Sequence, residues 1–409
     1  MMKVGSVTKI AKTAFWYALN SLTSPRATFL LGEPFFWVRG MRKKRRRIEL
    51  SEIKRVLVVR LDEMGDLVLT IPFLRELRRN LPDATITLIV KPAVYNLMEL
   101  CSYVDQVLTY EWSVAGKYPA VERHWRALQV AHRHLWCRRF DLAVVPRWDA
   151  DSYHATFVAY FSGAPLRVGY SENVTAHKQL VNEGLDRLFT HILNDNTLKH
   201  EVKRNLDVIQ FLGGTVQEDR LELWRSPEDA TFADELLKSH GISRNTLLIA
   251  LGPGKRDPKR RWPLSSFVEL GTWLKREYHA RIMIVGEMGE KALADELQGQ
   301  LGDIVINMVG QTTLRQAFAL LRHCDLYVGN DYGPKHMAAA AGVPVIEING
   351  HPLAGSPFHT YSPTRFGPWG VTHLVLQPET ALEPCSDACT AAQPHCILGI
   401  RSSRWKTRL

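Results

Sequence analysis

The stretch Cys324–Ile348, CDLYVGNDYGPKHMAAAAGVPVIEI, decides how the rest of the chain is read. Leu326 to Val328 is a short apolar run suited to a buried strand. The polar turn Gly329-Asn330-Asp331-Tyr332-Gly333 follows, then Pro334 and the apolar run Met337 to Ala341. Proline at the first helical position lacks only an N–H that the helix leaves unpaired, and alanine costs least to order as helix. Gly342 ends that helix, and Val343 to Ile348 returns as a second apolar strand. Strand, Gly-rich turn, helix, strand is the unit by which a parallel sheet offers its carboxyl edge to a ligand. The helix N-terminus carries unpaired N–H groups and a partial positive charge, and Lys335 adds a full charge beside it, so a phosphate is stabilised there. Without a ligand, the same pattern is a packed α/β unit whose Asp331 only caps the helix.

The same pattern runs through both halves of the chain. In the first, Val56–Val59, Thr85–Val90, Val104–Thr109 and Leu142–Val145 read as strands. Between them Leu67, Ile71, Leu74 and Leu77 recur at helical spacing, and Val121–Arg139 reads as helix. Residues 163–201 give no clear reading, and a helix over Val202–Phe211 follows. In the second half Leu247–Leu251, Ile282–Val285 and Val305–Met308 are strands, with helices over Phe267–Leu274, up to Leu301, and Leu314–Leu321. Strands alternating with helices predict an α/β architecture: two facing Rossmann-like domains with parallel sheets and a crevice between them. The expected division is an extension over 1–48, one domain over 49–226, a passage over 227–245, a second domain over 246–378 and a tail over 379–409.

With 409 residues, 45% of them hydrophobic, the chain can bury two cores. Its net charge of +10 is confined to residues 1–55, where thirteen Lys/Arg face three acids; the remainder sums to zero. The charge therefore says nothing about the ligand of the globular part, and no nucleic-acid partner is called for. The extension places Phe15, Trp16, Tyr17, Phe35, Phe36 and Trp37 beside the run Arg42 to Arg47. That combination suits an anionic membrane surface, at about 1 kcal/mol per basic residue, or else a solvated tail. No segment reaches the roughly eighteen apolar residues a spanning helix needs, and no secretory signal follows Lys3.

The turns carry the chemistry. Lys255, Arg256, Lys259, Arg260 and Arg261 follow one strand end with a single acid among them, a diphosphate-binding pattern; a solvated charge run is the alternative. Glu290, after Gly286 and Gly289, suits a ribose, or a first-turn helix acid. The matching turn of the first half is acidic: Asp62, Glu63 and Asp66 with Gly65 among them, just beyond Arg60. A carboxylate there serves as general base for a hydroxyl, or caps the helix. A cation-rich edge opposite a carboxylate suits direct displacement at an activated sugar. No Ser-His-Asp or HExxH arrangement is present.

VLVVRLDEMGDLVLTIPFLRELRR (Val56–Arg79), RRWPLSSFVEL (Arg260–Leu270) and YVGNDYGPKHMAAAAGVPVIEI (Tyr327–Ile348) together resemble the ADP-heptose:lipopolysaccharide heptosyltransferases, glycosyltransferase family nine. The resemblance covers most of residues 54–400. It implies a GT-B fold with an N-terminal acceptor domain and a C-terminal nucleotide-sugar domain, and inverting heptose transfer from ADP-heptose to a lipopolysaccharide core or similar glycolipid, with no obligatory metal and no cofactor. It also implies a peripheral enzyme at the cytoplasmic face of the membrane. By motif, Asp66 matches the base, Arg260 the diphosphate contact, Glu290 the ribose acid, and Asp331, Gly333 and His336 the donor motif. Lys255, Lys259, Tyr332 and Lys335 join the donor side, and Arg60, Asp62 and Gly65 the acceptor side. Three positions depart from the family pattern: Tyr332 replaces a small hydroxyl residue, Arg260 a lysine, and Lys335 an uncharged residue. Another nucleotide-sugar donor, or a catalytically silent nucleotide-sugar-binding module at a membrane surface, is the alternative.

Cys101, Cys137 and Cys324 sit in apolar or helical surroundings and are expected as reduced core thiols. Cys385, Cys389, His395 and Cys396 offer four soft ligands in twelve residues, but their spacing departs from CxxC pairs. The expectation is a cluster of reduced thiols, with no metal assigned, and a tetrahedral zinc site is the alternative.

Overall fold

The computed structural model describes residues 19–41, 47–115, 118–386 and 388–400. Strands β1 (Arg55–Val59), β2 (Thr85–Val90), β3 (Gln106–Thr109), β4 (Leu142–Val145), β5 (Leu166–Tyr170) and β6 (His191–Leu193) form one sheet, ordered β3-β2-β1-β4-β5-β6. Strands β7 (Leu248–Gly252), β8 (Arg281–Ile284), β9 (Val305–Asn307), β10 (Leu326–Asn330), β11 (Val345–Ile348) and β12 (His373–Leu376) form the other, ordered β12-β11-β10-β7-β8-β9. All pairings are parallel. Read from its opposite edge, the second sheet repeats the first. Chain direction across each sheet therefore reverses once, between β1 and β4 and between β7 and β10, and ligands of such sheets bind at that switch.

The strands are apolar on both faces because helices cover both. Val56 and Val58 of β1 pack with Leu74 and Leu77 of the helix Ile71–Asn80. Leu57 and Val59 face the other way, onto Val158 and Phe161 of the helix Ala155–Phe161. The stretch without a clear sequence reading contains β5, a short helix (Ala176–Val181) and β6. Its polar residues hid the strand. Arg167 lies buried in β5 because its guanidinium donates to the carbonyls of Leu188 (2.6 Å) and Ala164 (2.8 Å). The single helix expected over 121–139 is a helix (Pro119–Val130) followed by a π turn and a 3-10 turn.

Three expectations change. The described part of the N-terminal extension is no detached tail. Ser24 caps a helix, Pro25–Val38, whose Phe36 is 1% exposed and meets the Tyr160 ring edge-on at 5.6 Å. Burial of Phe36 ties this helix to the core of the first domain, while most of the basic run, residues 42–46, lies outside the described residues. The passage 227–245 belongs to the second domain: its helix Pro227–Ser239, started by a Ser226/Asp229 capping box, packs Ala233 and Leu237 against Phe318. Of the three cysteines expected in cores, Cys101 and Cys324 are buried, but Cys137 is exposed because it lies in the surface turn Trp136–Arg138.

Candidate active site

The turns that follow β1, β4, β7 and β10, the four strands at the two switch points, enclose a cleft of about 490 Å3 between the domains. From the first domain come Met64, Gly65, Asp66, Arg147 and Tyr153; from the second Lys255, Arg256, Arg260, Tyr332, Gly333 and His336. The domains touch at its floor. A Cβ on Gly65 would lie 2.8 Å from His336 Cδ2, so only glycine lets these two turns approach.

Asp66 stands in the first turn of the helix Met64–Val68. Glu63, not Asp66, is the N-cap residue, and no side chain caps this helix, so the capping alternative falls away. The Asp66 side chain is 23% exposed, opens on the cleft, and has Arg60 Nη2 at 3.8 Å. Burial, and then Asp62, push its carboxyl up to about 6, with Arg60 and Arg147 pulling the other way. A carboxylate that titrates near neutrality is suited to take a proton from a hydroxyl.

Arg60 and Asp62 stand behind that wall and do not line the cleft. Asp62 is buried, gripped by Arg60 Nε (2.6 Å) and Arg147 Nη1 (2.5 Å), and Arg60 also donates to the Pro146 carbonyl at 2.7 Å. Their work is to hold Arg147 and Asp66 in place. Arg147 itself reaches the cleft with its guanidinium 4.8 Å from the Tyr153 ring centre. Neither was singled out in the sequence. The available signal was position: Pro146-Arg147-Trp148-Asp149 follows β4, a switch-point strand.

On the opposite wall the loop after β7 is shaped by Asn330, fully buried at the end of β10. It accepts from the Trp262 N–H (3.0 Å) and donates to the Pro253 carbonyl (2.7 Å). Arg260 lies 3.7 Å from the Tyr361 ring centre and is ion-paired with Asp331. Lys255 donates to the Asp331 carbonyl, and its ammonium stands 5.5 Å from the Tyr332 ring centre. Burial, then Arg260 and Lys335, hold Lys255 well below the usual lysine range, so an arriving diphosphate would strengthen its charge. Of the five loop cations, Lys255, Arg256 and Arg260 face the cleft; Lys259 turns to Asp257 at 3.7 Å, and Arg261 donates to the Lys255 carbonyl.

The helix Gly333–Ala340 aims its N-terminus at this wall, with Tyr332 as an N-cap residue that makes no side-chain cap. Asp331 therefore does not cap it; its carboxylate is shared between Arg260 and Lys335. Lys335 corrects the sequence reading. It is 0% exposed and lies between Asp331 (2.6 Å) and the buried Glu347 (2.8 Å), behind the cleft wall. Its charge is spent on those carboxylates because a buried cation needs partners. His336 reaches the cleft, and burial, then Lys335, keep its imidazole neutral. Glu290 does not line the cleft: it accepts from the Glu287 N–H at 3.0 Å in a capping box, its carboxyl packed over Gly254, whereas Glu287 does line it.

Two facing Rossmann-like domains, one edge rich in cations and one bearing a raised-pKa carboxylate, define a GT-B glycosyltransferase. The chain belongs to glycosyltransferase family 9, the heptosyltransferase family, whose model matches residues 131–394. It is 21% identical over 310 residues to the lipopolysaccharide core heptosyltransferase OpsX of Haemophilus influenzae, covering 75% of this chain and 82% of that protein. It is 24% identical over 302 residues to lipooligosaccharide heptosyltransferase 2 of Haemophilus ducreyi, covering 71% and 81%. Among solved structures, the ADP-heptose lps heptosyltransferase II of E. coli matches with a TM-score of 0.62 at 21% identity, over 86% of this chain and 96% of that one. A glycosyl transferase family 9 structure from Veillonella parvula gives 0.64 at 22% identity, over 79% and 86%.

Proposed function

We propose that this enzyme transfers a heptose from ADP-heptose to a lipopolysaccharide core or similar glycolipid, with inversion at the anomeric carbon. The observation that carries the proposal is that Asp66 opens on the same cleft as Lys255, Arg256 and Arg260. The names of the curated relatives, core and lipooligosaccharide heptosyltransferases, support the sugar and the acceptor. In this mechanism the acceptor hydroxyl attacks the anomeric carbon from the face opposite the diphosphate. Its proton goes to Asp66, the bond from anomeric carbon to phosphate oxygen breaks, and the electron pair leaves with the diphosphate. Lys255, Arg256, Arg260 and the N-terminus of the helix Gly333–Ala340 stabilise the charge that develops there. Arg147 and Tyr153 orient the acceptor. The chemistry asks for no covalent enzyme intermediate and no metal.

NMR of the product's anomeric centre tests the stereochemistry, since retention would exclude single displacement. A thermal-shift titration with ADP, UDP, GDP and CMP tests the donor: stabilisation by UDP rather than ADP would favour the alternative of another nucleotide sugar.

Membrane docking is part of the same proposal. No helix among the described residues is long and apolar enough to cross a membrane. The helix Pro25–Val38, docked by Phe36, leaves Leu30, Leu31, Trp37 and Val38 exposed, Trp37 by 73%. With the basic run Arg42–Arg47 following it in sequence, that face supports peripheral binding to an anionic membrane at the cytoplasmic side. A chain lacking residues 1–48, or one carrying Leu30→Ser and Trp37→Ser, should sediment less with anionic vesicles. Undiminished sedimentation of both would remove the role.

A further inference from the structure

The C-terminal segment contains a group of side chains that glycosyl transfer does not use. We propose that Cys385, Cys389, His395 and Cys396 form a closed, four-coordinate structural site for Zn2+, which clamps this segment against the loop that carries Arg260.

Geometry is the first support. The four ligand atoms, three Sγ and one imidazole nitrogen, all lie within 4.8 Å of one another. His395 Nδ1 is 3.6 Å from Cys385 Sγ and 3.6 Å from Cys396 Sγ. A tetrahedron built on Zn–S bonds of about 2.3 Å and Zn–N bonds of about 2.0–2.1 Å has edges of about 3.5–3.8 Å. The spacing therefore leaves room for one ion at the centre after small movements of the ligands. Three thiolates and an imidazole suit zinc and exclude the hard cations, which take oxygen ligands. The set is complete at four, and none of the four residues lines the cleft, so the site holds structure and offers no open position for catalysis.

The surroundings are those of a held thiolate. The Thr390 N–H donates to Cys385 Sγ at 3.4 Å, and the Thr390 hydroxyl lies 3.5 Å from the same sulfur. Donors of this kind orient and tune a sulfur ligand. Cys385 and Cys396 are 9% and 0% exposed, and no disulfide joins the six cysteines. Beyond β12 the described chain has no strand and only one short 3-10 turn, Cys396–Gly399, so little regular structure offsets the entropy of ordering it. A metal crosslink supplies that constraint.

What the crosslink holds is specific. Ile397 and Ile400 enter the core of the second domain beside Trp262, Ile346 and Ile348. Trp262 Nε1 donates to the Ile400 carbonyl at 3.4 Å, and Trp262 is two residues from Arg260. The metal thus acts on the donor loop through the Ile397–Ile400 turn, as a positioning element.

The test uses the full chain, expressed with zinc supplied and purified without chelator. Elemental analysis should find about one zinc per chain, lost in both Cys389→Ser and His395→Ala. The reduced, metal-stripped protein should take up one Co2+ and show the visible bands of a tetrahedral thiolate complex. Zinc removal should lower the melting temperature and raise the donor KM, leaving the acceptor KM in place. Wild-type protein that purifies without metal and, once reduced, binds neither Zn2+ nor Co2+ would overturn the proposal. One equivalent of iron lost in the same variants would overturn the assignment of zinc. Glycosyl transfer by Asp66 stands or falls separately, since the metal content is read without turnover.

Discussion

Arg365, carried by the second domain, donates from Nη2 to Asp149 Oδ2 and to Glu201 Oε1, both on the first-domain side of the cleft, at 2.8 Å each. The guanidinium is fully buried and also stands 4.7 Å from the Trp148 ring centre, with Arg204 at 3.7 Å from the same centre. The domains are therefore latched by a desolvated charge group at the edge of the active cleft.

Removing one member of such a group leaves a buried charge unpaired, which costs about 3–5 kcal/mol. Arg365→Met should lower stability by that order in thermal or denaturant unfolding. A loss below about 1 kcal/mol, the scale of an exposed pair, would show that the latch contributes little.

Asp66→Asn should lower kcat by about 10²–10⁴, the usual contribution of a general base, while ADP affinity measured by calorimetry stays close to wild type. In the wild type, kcat/KM should rise with pH through about 6, where the carboxyl loses its proton. Near-wild-type turnover in the variant would take Asp66 out of the reaction.

The same carboxyl makes a stability prediction with a definite sign. Its folded pKa, about 6, exceeds the ordinary 3.8, so the charged form is penalised in the fold. Stability is lost as pH rises from about 4 through about 6, by up to about 3 kcal/mol. Asp66→Asn should therefore melt higher than wild type at pH 7.5, and the difference should disappear near pH 4. An unchanged difference across that range would contradict the burial of Asp66 as the cause.

Arg260 and Lys259 are neighbours with different tasks. Arg260→Ala should weaken ADP binding by about 1.5–3 kcal/mol, the range for hydrogen bonds to charged groups. Lys259→Ala, whose side chain pairs with Asp257 and does not itself line the cleft, should bind as wild type. Equal losses in both would mean that general positive charge, rather than the cleft geometry, holds the diphosphate.

Lys335 should behave as a structural residue. Lys335→Met leaves Glu347 buried without its cation and should destabilise by about 3–5 kcal/mol. Adding Glu347→Gln should recover most of that loss in unfolding experiments. Weaker ADP binding with unchanged stability would instead restore Lys335 to the ligand face.

What the sequence determined by itself was local. Apolar runs of four to six residues, the helical spacing through Leu67–Leu77 and the Pro–Gly punctuation of Gly329–Gly342 each depend on nearby backbone. They sufficed for two parallel sheets and for three of the four turns at the switch points, those that carry Asp66, Lys255 with Arg260, and His336; the turn after β4, with Arg147, was missed. β5 escaped because Arg167 is satisfied by carbonyls that only the folded chain brings to it. The tertiary structure alone decided which charges face the ligand. Arg260 meets Asp331 across 71 residues, Arg365 meets Asp149 across 216, and Lys335 is withdrawn to Glu347 behind the wall. A charge's role depends on its partners and its distance from water, and both are set by long-range packing that no local pattern records.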